Sequence, residues 1–197
     1  MVEAAGMTAD GFERRVRTLP GGRRATEAGL VRAAQRGSEA AVAELFDRHW
    51  GPAYRAALLI TGDRAAAEDI AQESFVSALR ALPGFDLGRP LRPWLHRIVV
   101  NRAIDWSRAR ALRQEVGADA APEPAAAEDR SGGGFGDEVT AALMGLDPEQ
   151  RSVVVLRYVL EYTPGEISRI LGLPRGTVNS RLRRGLDAVG DVLEAGA

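Results

Sequence analysis

The chain contains no cysteine and no lysine. The first absence excludes disulfides, thiolate zinc sites and cysteine nucleophiles. The second means that all 26 basic residues are arginine. Arginine is the side chain that best matches phosphate and guanine in a bidentate geometry, although a GC-rich coding bias accounts for most of the preference. Histidines are scarce: His49 and His96 lie far apart, and no carboxylate stands at ligand spacing, so no metal site is expected. Aromatic residues make up only 6% of the chain. No apolar run approaches the roughly 18 residues that a membrane span needs, and the first residues lack the apolar core of a signal peptide. A soluble, cytoplasmic protein without membrane insertion is expected. No convincing strand pattern is present and no glycine-rich phosphate loop follows one. Gly132-Gly133-Gly134 reads as flexibility alone, and the pair Glu68-Asp69 sits on an exposed helix rather than in a cleft. Neither an enzyme nor a cofactor is expected from these residues, and no catalytic residue is nominated.

What is present is helical. The 197 residues carry 45% hydrophobic side chains and a net charge of −1, so any nucleic-acid affinity depends on where the charges stand. The most informative stretch is Thr163 to Leu193. Thr163 suits an N-cap, Pro164 the first helical position, and Glu166 the third, which together make a capping box. Ile167, Ile170 and Leu171 form one apolar face. Gly172 accepts the left-handed conformation that ends a helix, and Leu173-Pro174 makes a turn. The next helix has a buried stripe of Val178, Leu182, Val189 and Leu193. Off that stripe stand Arg175, Thr177, Asn179, Ser180, Arg181, Arg183 and Arg184. This pattern is a helix-turn-helix whose second helix is dressed for a major groove. The plain alternative is a surface helical hairpin with a solvated basic face. The clustering of donors on the second helix favours DNA.

The remaining chain divides around a polar stretch. Residues 1–25 have no period and read as a mobile extension. Thr26 to Arg36 reads as a short helix stopped at Gly37. Ser38 caps the next, which Pro52 is expected to bend or restart before Gly62. Asp63 to Leu82 is a third helix, buried through Ala71, Phe75, Ala78, Leu79 and Leu82. Another of its faces carries Asp69, Gln72, Glu73, Val76 and Arg80 at spacings of three and four; such a face suits docking, though most such faces are only solvated. The loop PGFDLGRP presents Phe85 and Leu87, which either tuck into the core or line a small pocket. Pro93 to Arg113 is a fourth helix. Arg97, Asn101, Asp105 and Arg108 follow one another along one side, and Arg102, Arg108, Arg110 and Arg113 make its second half basic. Arginine for phosphates, asparagine for a base edge and aromatics for a displaced base make a nucleic-acid surface. Residues 114–136, rich in Ala, Gly, Pro and acids, read as a flexible acidic linker. Residues 137–197 complete a second compact helical domain, with Asp147-Pro148 expected as a further N-cap. The expected fold is therefore all-α: two small helical domains, at 26–113 and 137–197, joined by that linker, the second carrying the helix-turn-helix.

Three stretches in this order resemble a bacterial RNA polymerase sigma factor of the sigma-70 family, extracytoplasmic-function type. They are AEDIAQESFVSAL (Ala67 to Leu79), RPWLHRIVVNRAID (Arg92 to Asp105) and TPGEISRILGLPRGTVNSRLRRGLDAV (Thr163 to Val189). The resemblance implies a region 2-like first domain and a region 4-like second domain. It implies that Asp69, Gln72, Glu73 and Val76 bind core polymerase at the β′ clamp helices, with the β subunit also in contact. It implies that Arg97, Asn101, Arg102, Asp105 and Arg108, with the loop from Phe85 to Arg89, bind the non-template strand of the minus-ten element around a flipped base. Arg175 to Arg184 would read the minus-thirty-five element as duplex. The linker would follow the RNA exit path, and an anti-sigma factor is an implied partner. The chain departs from the family's common pattern at Pro174 and at Asn179, where lysine is usual. A helix-turn-helix regulator acting without polymerase and a sigma-like decoy are the rival expectations.

Overall fold

The computed structural model describes residues 25–115 and 137–195. The expected extension over 1–25 lies outside the described residues except for Ala25, and the expected linker over 114–136 does so except for Gln114 and Glu115, which continue the preceding helix instead of opening a linker. Every described element is helical. In the first group, α1 spans Glu27–Gln35, α2 Glu39–Thr61, α3 Arg64–Ala81 and α4 Leu91–Glu115, with a 3-10 turn at Leu82–Gly84 between the last two. In the second, α5 spans Asp137–Met144, α6 Pro148–Tyr158, α7 Pro164–Leu171 and α8 Arg175–Ala195.

The helix starts follow from short polar side chains. Thr26 accepts from the Gly29 amide, Ser38 from Ala41 and Asp63 from Ala66, each satisfying one of the amides that a first turn leaves without a partner. Gly62 closes α2 at φ 67°, a conformation only glycine adopts cheaply. Pro52 does not restart the helix, one of the two outcomes expected of it; α2 runs through it to Thr61. The lost amide forfeits one hydrogen bond, but the buried positions Leu45, His49, Ala53, Ala56, Ala57 and Ile60 keep one face in the core on both sides of the proline. Helix α4 begins two residues earlier than expected, at Leu91, so Pro93 is still in the first turn, where an amide donor is not needed. Asp147 does stand at the N-cap of α6, but its side chain makes no capping bond. The fixed φ of Pro148 starts the helix there.

Alanines at the α2 and α3 contact let the backbones approach closely, with Ala53, Ala56, Ala57 and Ala67 fully buried. The core does not stop at the boundary between the two groups. One apolar cluster runs from these alanines through Val99 and Ala103 to Leu146, Val153, Leu156, Ile167 and Val178. Polar bonds cross the same boundary. Arg151 of α6 is buried and donates to the Ile60 carbonyl (2.6 Å), as well as to Met144 and Leu146 carbonyls (2.8 Å each) of its own group. The last carbonyls of a helix are short of partners and carry its negative end, so the tail of α2 is a natural seat for a cation. Burial lowers the Arg151 pKa to about 10, which leaves it charged at neutral pH. Arg92 donates to the Leu160 carbonyl (2.9 Å), and its guanidinium lies 5.3 Å from the centre of the Tyr162 ring. The Tyr162 hydroxyl meets His96 Nδ1 at 2.8 Å.

Candidate nucleic-acid interface

The helix-turn-helix forms as its residue types require. The Thr163 amide donates to the Glu166 carboxylate (2.8 Å), and the Glu166 amide donates back to the Thr163 hydroxyl (3.4 Å). The Thr163 hydroxyl also lies 2.7 Å from the Glu166 carboxylate, and its hydrogen bond, with that of the Thr163 amide, holds the Glu166 carboxyl below its ordinary range. Gly172 ends α7 at φ 67°, and the turn is pinned by the Leu173 amide on the Ser168 carbonyl (3.0 Å) and the Ser168 hydroxyl on the Leu173 carbonyl (2.5 Å). Ile167, Ile170, Val178 and Leu182 are buried between α7 and α8, which fixes the rotation of α8. That rotation divides the expected row. Arg175, Asn179, Arg183 and Arg184 are exposed, while Thr177, Ser180 and Arg181 are half-buried. The Ser180 hydroxyl is spent on the Thr177 carbonyl (3.0 Å).

On α4, Arg97, Asn101, Asp105 and Arg108 are all exposed and form one line at helical spacing. Arg102 is not part of that line. It is half-buried and donates to Glu73 (2.7 Å) and to the Ser77 hydroxyl (2.7 Å) of α3. Arg108 turns toward the second group, where it donates to Glu149 (2.7 Å) at the start of α6. Phe85 is buried against Trp94, with ring centroids 4.8 Å apart. Its backbone is held by Gln35, whose side-chain amide donates to the Leu82 and Phe85 carbonyls (3.0 and 2.9 Å). Beside it lies a cleft of about 310 Å³ lined by Glu27, Val31, Leu87, Arg89 and Leu91 among others. One oxygen of Glu27 accepts from the Leu91 amide (3.1 Å), and the other lies 3.1 Å from His49 Nε2. The expected docking face on α3 is open: Asp69, Gln72, Glu73 and Val76 are exposed, Val76 to 46%. Leu79 adjoins them at 38% and so is less buried than its spacing suggested.

Sequence reasoning missed three residues that organise these surfaces: Glu27, Gln35 and Arg151. Glu27 and Gln35 read in sequence as ordinary surface polar residues of a short helix, and their partners lie 22 to 64 positions away. Arg151 left a readable trace, since a cation directly before the run Ser152 to Leu156 falls on a core-facing turn.

Comparison with known proteins agrees with this layout. Residues 45–113 match the Sigma-70 region 2 family and residues 136–189 match Sigma-70, region 4. The ECF RNA polymerase sigma factor SigL of Mycobacterium tuberculosis is 32% identical over 172 residues, covering 85% of this chain and 91% of SigL. The chain belongs to the extracytoplasmic-function sigma factors of the sigma-70 family. SigE of Mycolicibacterium smegmatis, another ECF RNA polymerase sigma factor, is 33% identical over 156 residues; the match covers 76% of this chain but only 60% of SigE. Among solved structures, CnrH in complex with the cytosolic domain of CnrY superposes with a TM-score of 0.67 at 28% identity, over 87% of this chain and 99% of that one. In this sigma factor the exposed line on α4 and the exposed face on α3 both lie in region 2, and α8 is the second helix of the region 4 helix-turn-helix. Sigma factors are RNA polymerase-associated initiation factors that recognise promoters, and the alternative of a regulator acting without polymerase is not favoured. Among the described residues no helix is long and apolar enough to cross a membrane.

Proposed function

We propose that this sigma factor docks on core RNA polymerase through Asp69, Gln72, Glu73 and Val76 of α3, against the β′ clamp helices, with further contact to β. The observation that carries the reading is the exposure of those four side chains on one helical face, an acidic rim around an apolar centre. Arg97, Asn101 and Asp105 then follow the separated minus-ten strand, with Arg108 adding a phosphate contact once released from Glu149. Asp105 suits a cytosine amino group. The cleft beside Phe85 has room for one flipped base and combines apolar walls with one carboxylate, Glu27, and one guanidinium, Arg89. Arg175, Asn179, Arg183 and Arg184 enter the major groove of the minus-thirty-five element. Arg102 supports α3 rather than DNA while its bond to Glu73 lasts.

The factor performs no chemistry of its own and acts in the cytoplasm, where core polymerase is found. A protein of the anti-sigma class is a fitting partner, since CnrH was solved with the cytosolic domain of CnrY bound. The test is retention of purified core polymerase by the immobilised factor. Asp69→Arg combined with Glu73→Arg abolishes retention on this reading and leaves the far-UV spectrum unchanged. Full retention by a folded double variant would remove the α3 face from the interface.

A further inference from the structure

The loop that carries Phe85 is held at both ends by α1, a helix that precedes the span matched to region 2. A carboxamide nitrogen has two hydrogens to donate, and Gln35 places its own on the Leu82 carbonyl (3.0 Å) and the Phe85 carbonyl (2.9 Å) at the near end of the loop. At the far end the Leu91 amide, the first of α4, donates to the Glu27 carboxylate (3.1 Å). A first-turn amide has no partner inside its own helix, and the helix dipole favours a carboxylate at that end. The second Glu27 oxygen lies 3.1 Å from Nε2 of His49, a buried side chain of α2, so the carboxylate is held from two sides. Apolar packing follows the same lines. Leu30 and Val31 of α1 are buried with Leu82, Phe85 and Leu91 in a cluster separate from the main core.

Between these anchors the loop faces solvent: Asp86, Gly88, Arg89 and Pro90 are exposed. The Gly88 amide donates to the Asp86 carboxylate (2.8 Å) and the Arg89 amide to the Asp86 carbonyl (3.0 Å), bonds that are internal to the turn. The cleft of about 310 Å³ is the space between this loop and α1. Glu27, Ala28 and Val31 form one wall, and Leu87, Arg89 and Pro90 stand on the other. Its width is therefore set by the anchors at either end. Gln35 does not line the cleft, so it acts on anything bound there only through the loop.

We infer that α1 is part of the minus-ten reader: Gln35 and Glu27 are positioning residues that hold the loop from Leu82 to Leu91 so that the cleft accepts the flipped base in one orientation. The inference rests on the reading of this cleft as the seat of that base. Selectivity among bases needs a wall held to within about 0.5 Å by supporting hydrogen bonds, because a wall that yields lets a wrong base find contacts as good as those of the right one.

The test uses the full chain bound to core polymerase and a promoter selected by run-off transcription, with each of the four bases placed in turn at every minus-ten position. Competition binding gives the discrimination at each position, and 2-aminopurine fluorescence marks the position whose base is unstacked. Gln35→Met keeps the side-chain length and removes the donor; Gln35→Lys returns a donor. The expected result is that Gln35→Met lowers discrimination about five- to tenfold at the unstacked position alone, and that Gln35→Lys recovers most of it. Retention by core polymerase and discrimination at the minus-thirty-five element stay as in the wild type. Leu87→Ala, in the cleft wall, lowers discrimination at the same position. Full discrimination by Gln35→Met beside a loss in Leu87→Ala overturns the role of α1 and leaves the cleft reading intact. An equal loss by Gln35→Met at every position, with weaker retention by core polymerase, also overturns it, as the mark of a purely structural side chain. Unchanged discrimination in Leu87→Ala instead overturns the cleft reading on which the inference rests.

Discussion

At the scale of single residues, Arg184, one of the side chains proposed to face DNA, is distinguished by how little else it does. The Nε of Arg184 donates to the Ser180 carbonyl at 3.4 Å, and the residue is exposed. Arg184→Ala is expected to weaken holoenzyme binding to a selected promoter by about tenfold or more, corresponding to roughly 1–3 kcal/mol for a bidentate base contact. The loss falls on some promoter bases more than others; equal loss on every sequence, in competition binding, would assign Arg184 to phosphate. Buried residues give a different signal. His96 is fully buried, and desolvation, with the charges of Arg92 and then His49, lowers its pKa to about 3. His49, facing Glu27, Arg92 and Arg48, is lowered as well, chiefly by burial. Both imidazoles are therefore uncharged when folded and take up protons when unfolded. The contribution of His96 to stability is complete above about pH 6.5 and is lost as pH falls toward 3, with a slope of at most about 1.4 kcal/mol per pH unit; His49 acts in the same direction. Urea midpoints at pH 7 and pH 5 check this: the midpoint falls at pH 5, and His96→Phe flattens the fall. A midpoint that rises on acidification contradicts the placement of His96.

At the scale of elements, packing between α6 and α8 depends on one position without a side chain. Gly185 is buried, and a Cβ there would lie 2.9 Å from Val154 Cγ2 and 3.6 Å from Leu146 Cδ1. A β-branched valine cannot swing aside, so Gly185→Ala is expected to cost about 1–3 kcal/mol, read as a lower thermal midpoint; an unchanged midpoint would mean that α8 packs differently. The elements were largely legible in the sequence. Helix starts at Thr26, Ser38, Asp63 and Thr163 and stops at Gly37, Gly62 and Gly172 are local chemistry, visible within a few residues. Pro52 misled because a proline's local cost was set against a buried stripe that only the tertiary fold reveals. Arg102 misled for a similar reason, since helical spacing places it near the DNA row and only the Glu73 contact, 29 residues away, turns it toward α3. The row on α8 was legible as a set, but its division into exposed and half-buried members depends on the rotation that Val178 and Leu182 impose.

At the scale of the whole molecule, a net charge of −1 and two small basic surfaces are expected to leave the free factor few phosphate contacts. Counterion release is then small, and free DNA binding is weak and shallow in its salt dependence. The polymerase supplies what the factor lacks: it positions two small surfaces at the separation a promoter demands. The packing of region 4 on region 2 was invisible in the sequence, because residues such as Glu149 and Tyr162 read as ordinary surface and core positions until their partners Arg108 and His96 are known.

The account's central claim is that this chain directs core polymerase to particular promoters, and run-off transcription tests it most directly. Purified core polymerase is incubated with a random-sequence promoter library, with and without the protein. The account predicts discrete starts only when the protein is present, from templates enriched for two short elements about 25 base pairs apart. Identical products with and without it would contradict the claim.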